Sequence, residues 1–180
     1  MAFESENFDL EQTLLCANEK ILQAQEEFDN KMKTTAAAVW LGGEQAVFAN
    51  VGDSRLYGFK DGEIVFQSTD HSVAQMCVDY GEITADQIRD HEDRCILTRS
   101  LGGREDVEVD VYYVDISELD SILICSDGFW EHVVEQEMCD ALKSSETAEQ
   151  WLEKMCACRE ENVGQDNDNN TAVVIKFREE

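Results

Sequence analysis

The chain has 180 residues, of which 40 are acidic and 14 are basic, so its formal net charge is −26. This length suits one domain with a sizeable core. So acidic a surface repels phosphate backbones, which argues against nucleic-acid binding and favours cationic partners or divalent metals. No apolar run approaches the roughly 18 residues that a membrane span needs, and the acidic start of the chain does not resemble a secretory signal.

The seven cysteines indicate a reducing cytoplasm. Their number is odd and no Cys-x-x-Cys pair occurs, which argues against a disulfide framework and against a thiolate zinc site. Most of them lie in apolar runs, so we expect them to be small buried hydrophobic residues.

The first predicted element is an amphipathic helix over about residues 9–31, because apolar residues recur there every three or four positions. Two continuous apolar runs, Thr34–Leu41 and Ala46–Val51, then predict a buried hairpin. A second hairpin is predicted for Leu56–Phe59 and Ile64–Phe66, because the Asp-Gly pair between them is typical of a tight turn.

Further helices and strands alternate along the rest of the chain. Capping-box patterns at Ser72 and Thr84 predict two short helices, and an alternating pattern predicts a half-buried strand at Val107–Tyr113. Two more strands and two more helices are expected: Ser121–Cys125, Thr171–Phe177, Glu135–Lys143 and Thr147–Arg159. Together these elements predict a single α+β domain over residues 1–180, with helices covering a sheet or a pair of sheets.

Three carboxylates stand at the ends of apolar strands. Asp53 lies in Gly-Asp-Ser-Arg (52–55), Asp127 in Ser-Asp-Gly (126–128) and Asp168 in Asp-Asn-Asn-Thr (168–171). Each pattern alone is more typical of a turn than of a ligand site. Their meaning therefore depends on whether they belong to a longer pattern.

Six short motifs do occur in a fixed order along the chain. They are Thr34-Thr35, Gly52-Asp53-Ser54-Arg55, Asp70-His71-Ser72, Leu97-Thr98-Arg99-Ser100-Leu101-Gly102, Ser126-Asp127-Gly128 and Asp168-Asn169-Asn170-Thr171. This order resembles the protein phosphatase 2C family, also called the metal-dependent PPM phosphatases, over about residues 16–177. The bacterial branch is the most similar, because Phe129-Trp130-Glu131 follows the Ser-Asp-Gly motif there too.

The resemblance implies a fold, a cofactor and a reaction. The implied fold is a four-layer αββα sandwich, in which two antiparallel sheets are flanked by helical pairs. The implied cofactor is a pair of Mg²⁺ or Mn²⁺ ions, hard cations that take oxygen ligands. The implied reaction is hydrolysis of phosphoserine and phosphothreonine esters in a phosphoprotein substrate by a metal-activated water.

Three aspartates match metal ligands of the family. Asp127 would ligate one of the two core metals, and Asp168 would share in that site. Asp53 matches an acid associated with a third, weaker metal. Asp166 offers a duplicate of the position assigned to Asp168, which is preferred because Thr171 then falls at the family's hydroxyl position.

Other matched positions are interpreted as structural. Arg55 is expected to hold a hairpin through charge-assisted bonds, with direct phosphate binding as the alternative. His71 precedes a helix N-cap and is expected to order a turn rather than to act as an acid. The segment Val73–Arg94 matches the family's variable flap, which would tune substrate access.

Two N-terminal elements of the family have no match before Leu10. One is Arg-x-x-Asn-x-Asp, whose arginine binds phosphate; the other is Asp-Gly-Met-Gly-Gly, whose aspartate bridges the core metals. The resemblance thus implies the C-terminal two-thirds of a family domain, truncated at its N-terminus, with a partial metal site and no catalytic residue beyond the metal ligands. We expect an enzyme fragment that is inactive or very weak alone. The alternatives are a natural pseudophosphatase acting as a binding or regulatory module, or an unrelated acidic domain that binds cations.

Absence of the strands that those elements supply is expected to leave exposed strand edges. Pairing of such edges between copies would give a homo-oligomer. The alternative is a monomer in which the helix at 9–31 covers an edge.

Overall fold

A computed structural model describes residues 9–164 and 168–177. Its strands are β1 Ala36–Gly42, β2 Gln45–Val51, β3 Arg55–Lys60, β4 Glu63–Gln67, β5 Asp110–Asp115, β6 Ser121–Cys125 and β7 Ala172–Lys176. Its α-helices are α1 Leu10–Phe28, α2 Val73–Asp79, α3 Asp127–Trp130, α4 Glu135–Lys143 and α5 Ala148–Asn162. Short 3₁₀ helices occupy Ala85–Asp90 and Ile116–Glu118.

The strands form two sheets in which every neighbouring pair is antiparallel. One sheet has the order β1-β2-β5 and the other has the order β4-β3-β6-β7. Helix α1 packs on the outer face of the first sheet, and helices α4 and α5 pack on the outer face of the second. This arrangement confirms the predicted α+β sandwich with four layers.

The period-two alternation of strand side chains explains the layering. In β2, Ala46 and Phe48 face the second sheet, whereas Val47 and Ala49 face the other way, towards Leu14 and its neighbours on α1. Both faces of β2 are therefore buried, and a continuous apolar run is what such a strand requires.

The second sheet follows the same rule. Leu56 of β3 and Ile122 of β6 point into the space between the sheets, while Tyr57 and Leu123 lie beneath the helical pair. There Trp151 of α5 is fully buried and meets Phe59 edge-on, with 5.1 Å between ring centroids.

Both predicted hairpins and two of the predicted helix starts are confirmed. Asp61 and Gly62 have φ angles of 51° and 78°, as expected for an Asp-Gly turn between two twisted strands. The Ser72 hydroxyl accepts the Gln75 N–H at 3.1 Å and caps α2. The Thr147 hydroxyl caps α5 in the same way.

Several predicted boundaries were wrong. Helix α1 ends at Phe28 instead of residue 31, because Asp29 adopts a left-handed conformation with φ 48°. The element after Thr84 is a 3₁₀ helix, and the strand expected at Val107–Tyr113 lies at Asp110–Asp115, since Val107 packs into a separate apolar cluster.

The cysteines were predicted only in part. All seven lie within the described residues and are free, which confirms that they form no disulfide framework. However, only Cys125 and Cys139 are buried, while Cys16 and Cys95 are exposed. Apolar flanking residues therefore did not ensure burial at these positions.

Strand edges remain open on both sheets in the part of the chain that is described. Strands β1, β5, β4 and β7 each pair on one side only. Helix α1 contacts all three strands of its sheet, so it lies across the face and does not cover an edge. Within residues 9–164 and 168–177, no helix is long and apolar enough to cross a membrane.

Candidate metal centre

The turn at residues 52–55 carries the chain from β2 in one sheet to β3 in the other. Gly52 has a φ of 110°, and a Cβ at this position would lie 2.4 Å from Thr35 Cγ2. The Gly52 N–H donates to His71 Nδ1 at 3.0 Å, and the His71 N–H donates to the Gly52 carbonyl at 2.9 Å. These bonds confirm that His71 orders a turn.

Arg55 fixes the same turn from inside the core. Its guanidinium donates to both carboxylate oxygens of Asp70, at 2.9 and 2.8 Å, and both side chains are buried. The guanidinium also stacks on Trp130, 3.5 Å from the ring centroid. A buried bidentate pair is a strong, directional contact, so the structural interpretation of Arg55 is confirmed.

Asp53 is held between these anchors with only 6% of its surface exposed. The Trp130 indole N–H donates to the Asp53 backbone carbonyl at 2.9 Å. Burial, and then the negative charge of Asp127, raise the pKa of Asp53 to about 7, with smaller contributions from Asp70 and Glu131. No basic side chain among the described residues pairs with this carboxylate, so it is a good position for a cation.

Asp127 begins α3 directly after β6, and its Oδ1 accepts the N–H of Gly128 at 2.8 Å. The preceding residue, Ser126, is tied to the start of β7. Its N–H donates to the Thr171 carbonyl at 3.0 Å, and its hydroxyl accepts the Thr171 N–H at 3.0 Å. Two motifs far apart in sequence are thus joined at one end of the second sheet.

Gly128 is the contact point between the two loops. A Cβ at Gly128 would lie 2.5 Å from the Asn169 carbonyl oxygen and 3.4 Å from Asp168 Cβ. Only glycine allows this approach. The structure therefore brings the Asp127 and Asp168 segments together, as the sequence predicted.

Sequence reasoning missed Arg159, which positions both loops. This residue of α5 is 7% exposed, and it donates from Nε to the Gly128 carbonyl at 2.8 Å and from Nη2 to the Asp168 carbonyl at 3.3 Å. A signal was present, because Arg159 continues the buried helix stripe of Trp151 and Met155 at four-residue spacing. A basic residue on an apolar stripe indicates a buried polar partner.

The sequence also did not predict that Glu131 lies close to the candidate metal ligands. It lies four residues after Asp127, and its side chain is 13% exposed. Its charge contributes to the raised pKa of Asp53, and its Oε1 accepts from Arg94 Nε at 2.8 Å. In the sequence it had served only to distinguish the bacterial branch of the family.

The oxygen donors fit Mg²⁺ or Mn²⁺, but they do not form a complete site. Asp53, Asp127 and Asp168 offer carboxylates, the ligands that hard cations prefer. Within residues 9–164 and 168–177, no three His, Cys, Asp or Glu side chains group closely enough to hold an ion unaided. Asp166 lies outside the described residues. The assignment of these three aspartates as metal ligands stays a prediction.

Comparison with known proteins identifies the family. The sequence profile of the family Protein phosphatase 2C matches residues 3–169. The serine/threonine phosphatase stp of Listeria welshimeri is 36% identical over 148 residues, which are 82% of this chain and 59% of that protein. The chain thus spans less than two thirds of this relative.

Solved structures agree with this match. Serine/threonine phosphatase Stp1 from Staphylococcus aureus superposes with a TM-score of 0.88 at 26% identity, covering 98% of this chain and 73% of that one. The catalytic domain of the serine/threonine protein phosphatase PstP, solved with two manganese ions, gives a TM-score of 0.71 at 26% identity, over 95% and 72% of the two chains. The chain belongs to the protein phosphatase 2C family.

Proposed function

We propose that this chain forms part of a cytoplasmic, metal-dependent phosphatase that hydrolyses phosphoserine and phosphothreonine esters in a phosphoprotein. The observation that carries the proposal is the buried carboxylate of Asp53 beside Asp127, at the end of the sandwich where the Asp168 loop also lies. Family membership and the names of the relatives support the same reaction.

The proposed cofactor is Mg²⁺ or Mn²⁺. Asp127 and Asp168 would hold a core ion, and Asp53 would serve a third, weaker one together with Asp127. The two manganese ions in the PstP structure support the choice of a divalent cation. When bound, such ions activate a water molecule and stabilise negative charge on the phosphoryl oxygens.

Two residues of this chain position the proposed metal ligands through backbone hydrogen bonds. Trp130 fixes the backbone at Asp53, and Arg159 fixes the backbones at Gly128 and Asp168. Their donors bind backbone carbonyl oxygens and not the carboxylates that would hold the cation. Preorganised ligands of this kind lower the cost of binding.

The 180-residue sequence contains no Asp-Gly-Met-Gly-Gly element. Since the family's bridging carboxylate belongs to that element, we expect little or no turnover from this polypeptide alone. The alternative is a pseudophosphatase that acts as a binding or regulatory module.

Hydrolysis of p-nitrophenyl phosphate and of a phosphothreonine peptide with Mn²⁺ would test the proposal. The 180-residue chain should turn over far below ~1 per second, whereas a chain extended by the missing elements should reach that rate or exceed it. Asp127→Asn in the extended chain should abolish turnover. Asp61→Asn removes the same charge from an exposed turn and should not. An inactive extended chain that still binds Mn²⁺ would favour the pseudophosphatase.

A further inference from the structure

The contacts of the His71 ring determine which of its two nitrogens carries hydrogen. The side chain is 5% exposed, and its Nδ1 lies 3.0 Å from the backbone nitrogen of Gly52. A backbone N–H can only donate, so Nδ1 is the acceptor in this bond. The neutral ring therefore carries its hydrogen on Nε2.

Asp110, the first residue of β5, lies on the Nε2 side of the ring. Its Oδ2 is 3.2 Å from His71 Nε2, and its Oδ1 accepts from Arg99 Nη1 at 2.7 Å. Arg99 Nη1 is also 3.3 Å from His71 Nε2. If Nε2 accepted from Arg99, the hydrogen would lie on Nδ1 and face the Gly52 N–H. Two donors therefore converge on one carboxylate, which accepts from both.

We propose that Asp110 is a positioning residue for the turn at residues 52–55, which carries Asp53. Its carboxylate, oriented by Arg99, accepts the Nε2–H of His71 and so keeps Nδ1 available to the Gly52 N–H. This inference rests on the proposed function, because the position of Asp53 matters there as a ligand of the cation.

Asparagine at position 110 would reverse the donors around the ring. A guanidinium has no acceptor, so Arg99 requires the amide oxygen, and the amide NH₂ then faces His71 Nε2. The ring would have to carry its hydrogen on Nδ1, where it opposes the Gly52 N–H. Alanine has neither a donor nor an acceptor and leaves the ring as it is. The more conservative substitution should thus be the more damaging one.

Nitrogen NMR of the metal-free protein at pH 8 reads the ring directly, because protonated and unprotonated ring nitrogens differ clearly in ¹⁵N chemical shift. The wild type and Asp110→Ala should show an unprotonated Nδ1, and Asp110→Asn a protonated one. His71→Gln identifies the signals of His71 among the three histidines of the sequence. A protonated Nδ1 in the wild type, or an unprotonated one in Asp110→Asn, would overturn the proposal.

Exchange of the Gly52 amide hydrogen measures how firmly the turn is held. It should be about tenfold faster in Asp110→Asn than in Asp110→Ala, because the buried N–H then faces a donor. Glu108→Gln is the matched control, since it removes a carboxylate that pairs with the other terminal nitrogen of Arg99, at 3.2 Å. This control should exchange like the wild type. Equal rates in Asp110→Asn and Asp110→Ala would contradict the reversal of donors.

A double variant tests the part assigned to Arg99. In Arg99→Ala/Asp110→Asn the amide can turn its oxygen towards His71, so Nδ1 should lose its hydrogen again. Exchange at Gly52 should slow towards the rate of Asp110→Ala. If Asp110 and Arg99 only add packing or charge, the double variant should instead be at least as disturbed as Asp110→Asn. That result would overturn the orienting role of Arg99.

Manganese binding by isothermal titration calorimetry connects the ring to the proposed metal site. Asp110→Asn should bind Mn²⁺ about tenfold more weakly than Asp110→Ala, as is usual when a residue that orients a ligand is changed. Equal affinities would show that the ring does not position Asp53. If the wild type itself binds no Mn²⁺, the proposed metal site is wrong. The NMR and exchange results still decide the role of Asp110 in that case, because they are measured without metal.

Discussion

Replacing Asp53 with asparagine should make the metal-free protein more stable. The carboxylate is 6% exposed, and burial followed by the charge of Asp127 raises its pKa from 3.8 to about 7. A carboxyl whose pKa is higher in the folded state stabilises the fold while it is protonated. That contribution is present below about pH 4 and is lost as the pH rises towards about 7.

The magnitude follows from the size of the pKa rise. At ~1.4 kcal/mol per pKa unit, a rise from 3.8 to about 7 corresponds to about 4 kcal/mol of unfavourable free energy once Asp53 is ionised in both states. Asparagine keeps the shape and cannot ionise. We therefore expect Asp53→Asn to be more stable than the wild type by about 2–4 kcal/mol at pH 8, with the difference vanishing near pH 4.

Urea denaturation in the presence of a chelator measures this difference, provided the two proteins unfold with the same denaturant dependence. Asp61→Asn is the control, because Asp61 is an exposed turn residue with φ 51°, a conformation that asparagine also adopts. If Asp53→Asn is no more stable than Asp61→Asn at pH 8, the carboxylate is not under electrostatic strain.

Manganese should narrow the difference in stability between the wild type and Asp53→Asn. A ligand that binds only the folded state at 100 times its Kd stabilises it by ~2.7 kcal/mol. The wild type should gain stability on addition of Mn²⁺, and Asp53→Asn should gain much less because a ligand oxygen has been lost. Equal gains in the two proteins would show that Asp53 takes no part in binding the cation.

Substitutions at two positions test the positioning residues, and a measurement of oligomeric state tests the strand edges. Trp130→Phe removes the N–H that binds the Asp53 carbonyl and should cost about 1–3 kcal/mol in urea denaturation, with weaker Mn²⁺ binding. Arg159→Ala leaves the Gly128 and Asp168 carbonyls without this donor and should cost about 2–4 kcal/mol, and Arg159→Lys should recover part of the loss. Light scattering should show a dimer or larger oligomer, because unpaired strand edges favour association and salt screens the charge of −26 beyond ~8 Å. A monomer of 20.4 kDa at both low and physiological salt would contradict that expectation.

Much of the fold could be predicted because the inner strands β2, β3 and β6 are buried on both faces. Such strands read as continuous apolar runs, and β2 and β6 were placed within one residue at each end. The strand at β5 was misplaced because alternation alone could not tell that Val107 packs into a cluster with Val51 and Leu101 instead of pairing in the sheet. That choice depends on tertiary contacts, which local periodicity does not record.

The loops of the candidate site could be predicted from the sequence, but the residues that hold those loops in place could not. Short motifs with glycine and aspartate located the turns that carry Asp53 and Asp127. The residues that hold those turns come from elsewhere: Arg159 lies 31 residues after Gly128, and Trp130 lies 77 residues after Asp53. Contacts across such distances depend on how the helices pack on the second sheet, and a single sequence has no pattern that reports it.

The residues that position the proposed metal ligands differ from the ligands themselves. Trp130 and Arg159 both donate to backbone carbonyls, so they set where the aspartates stand without neutralising them. The aspartates are therefore positioned through their backbones, so a cation that binds their carboxylates does not compete with Trp130 or Arg159 for the same oxygen atoms.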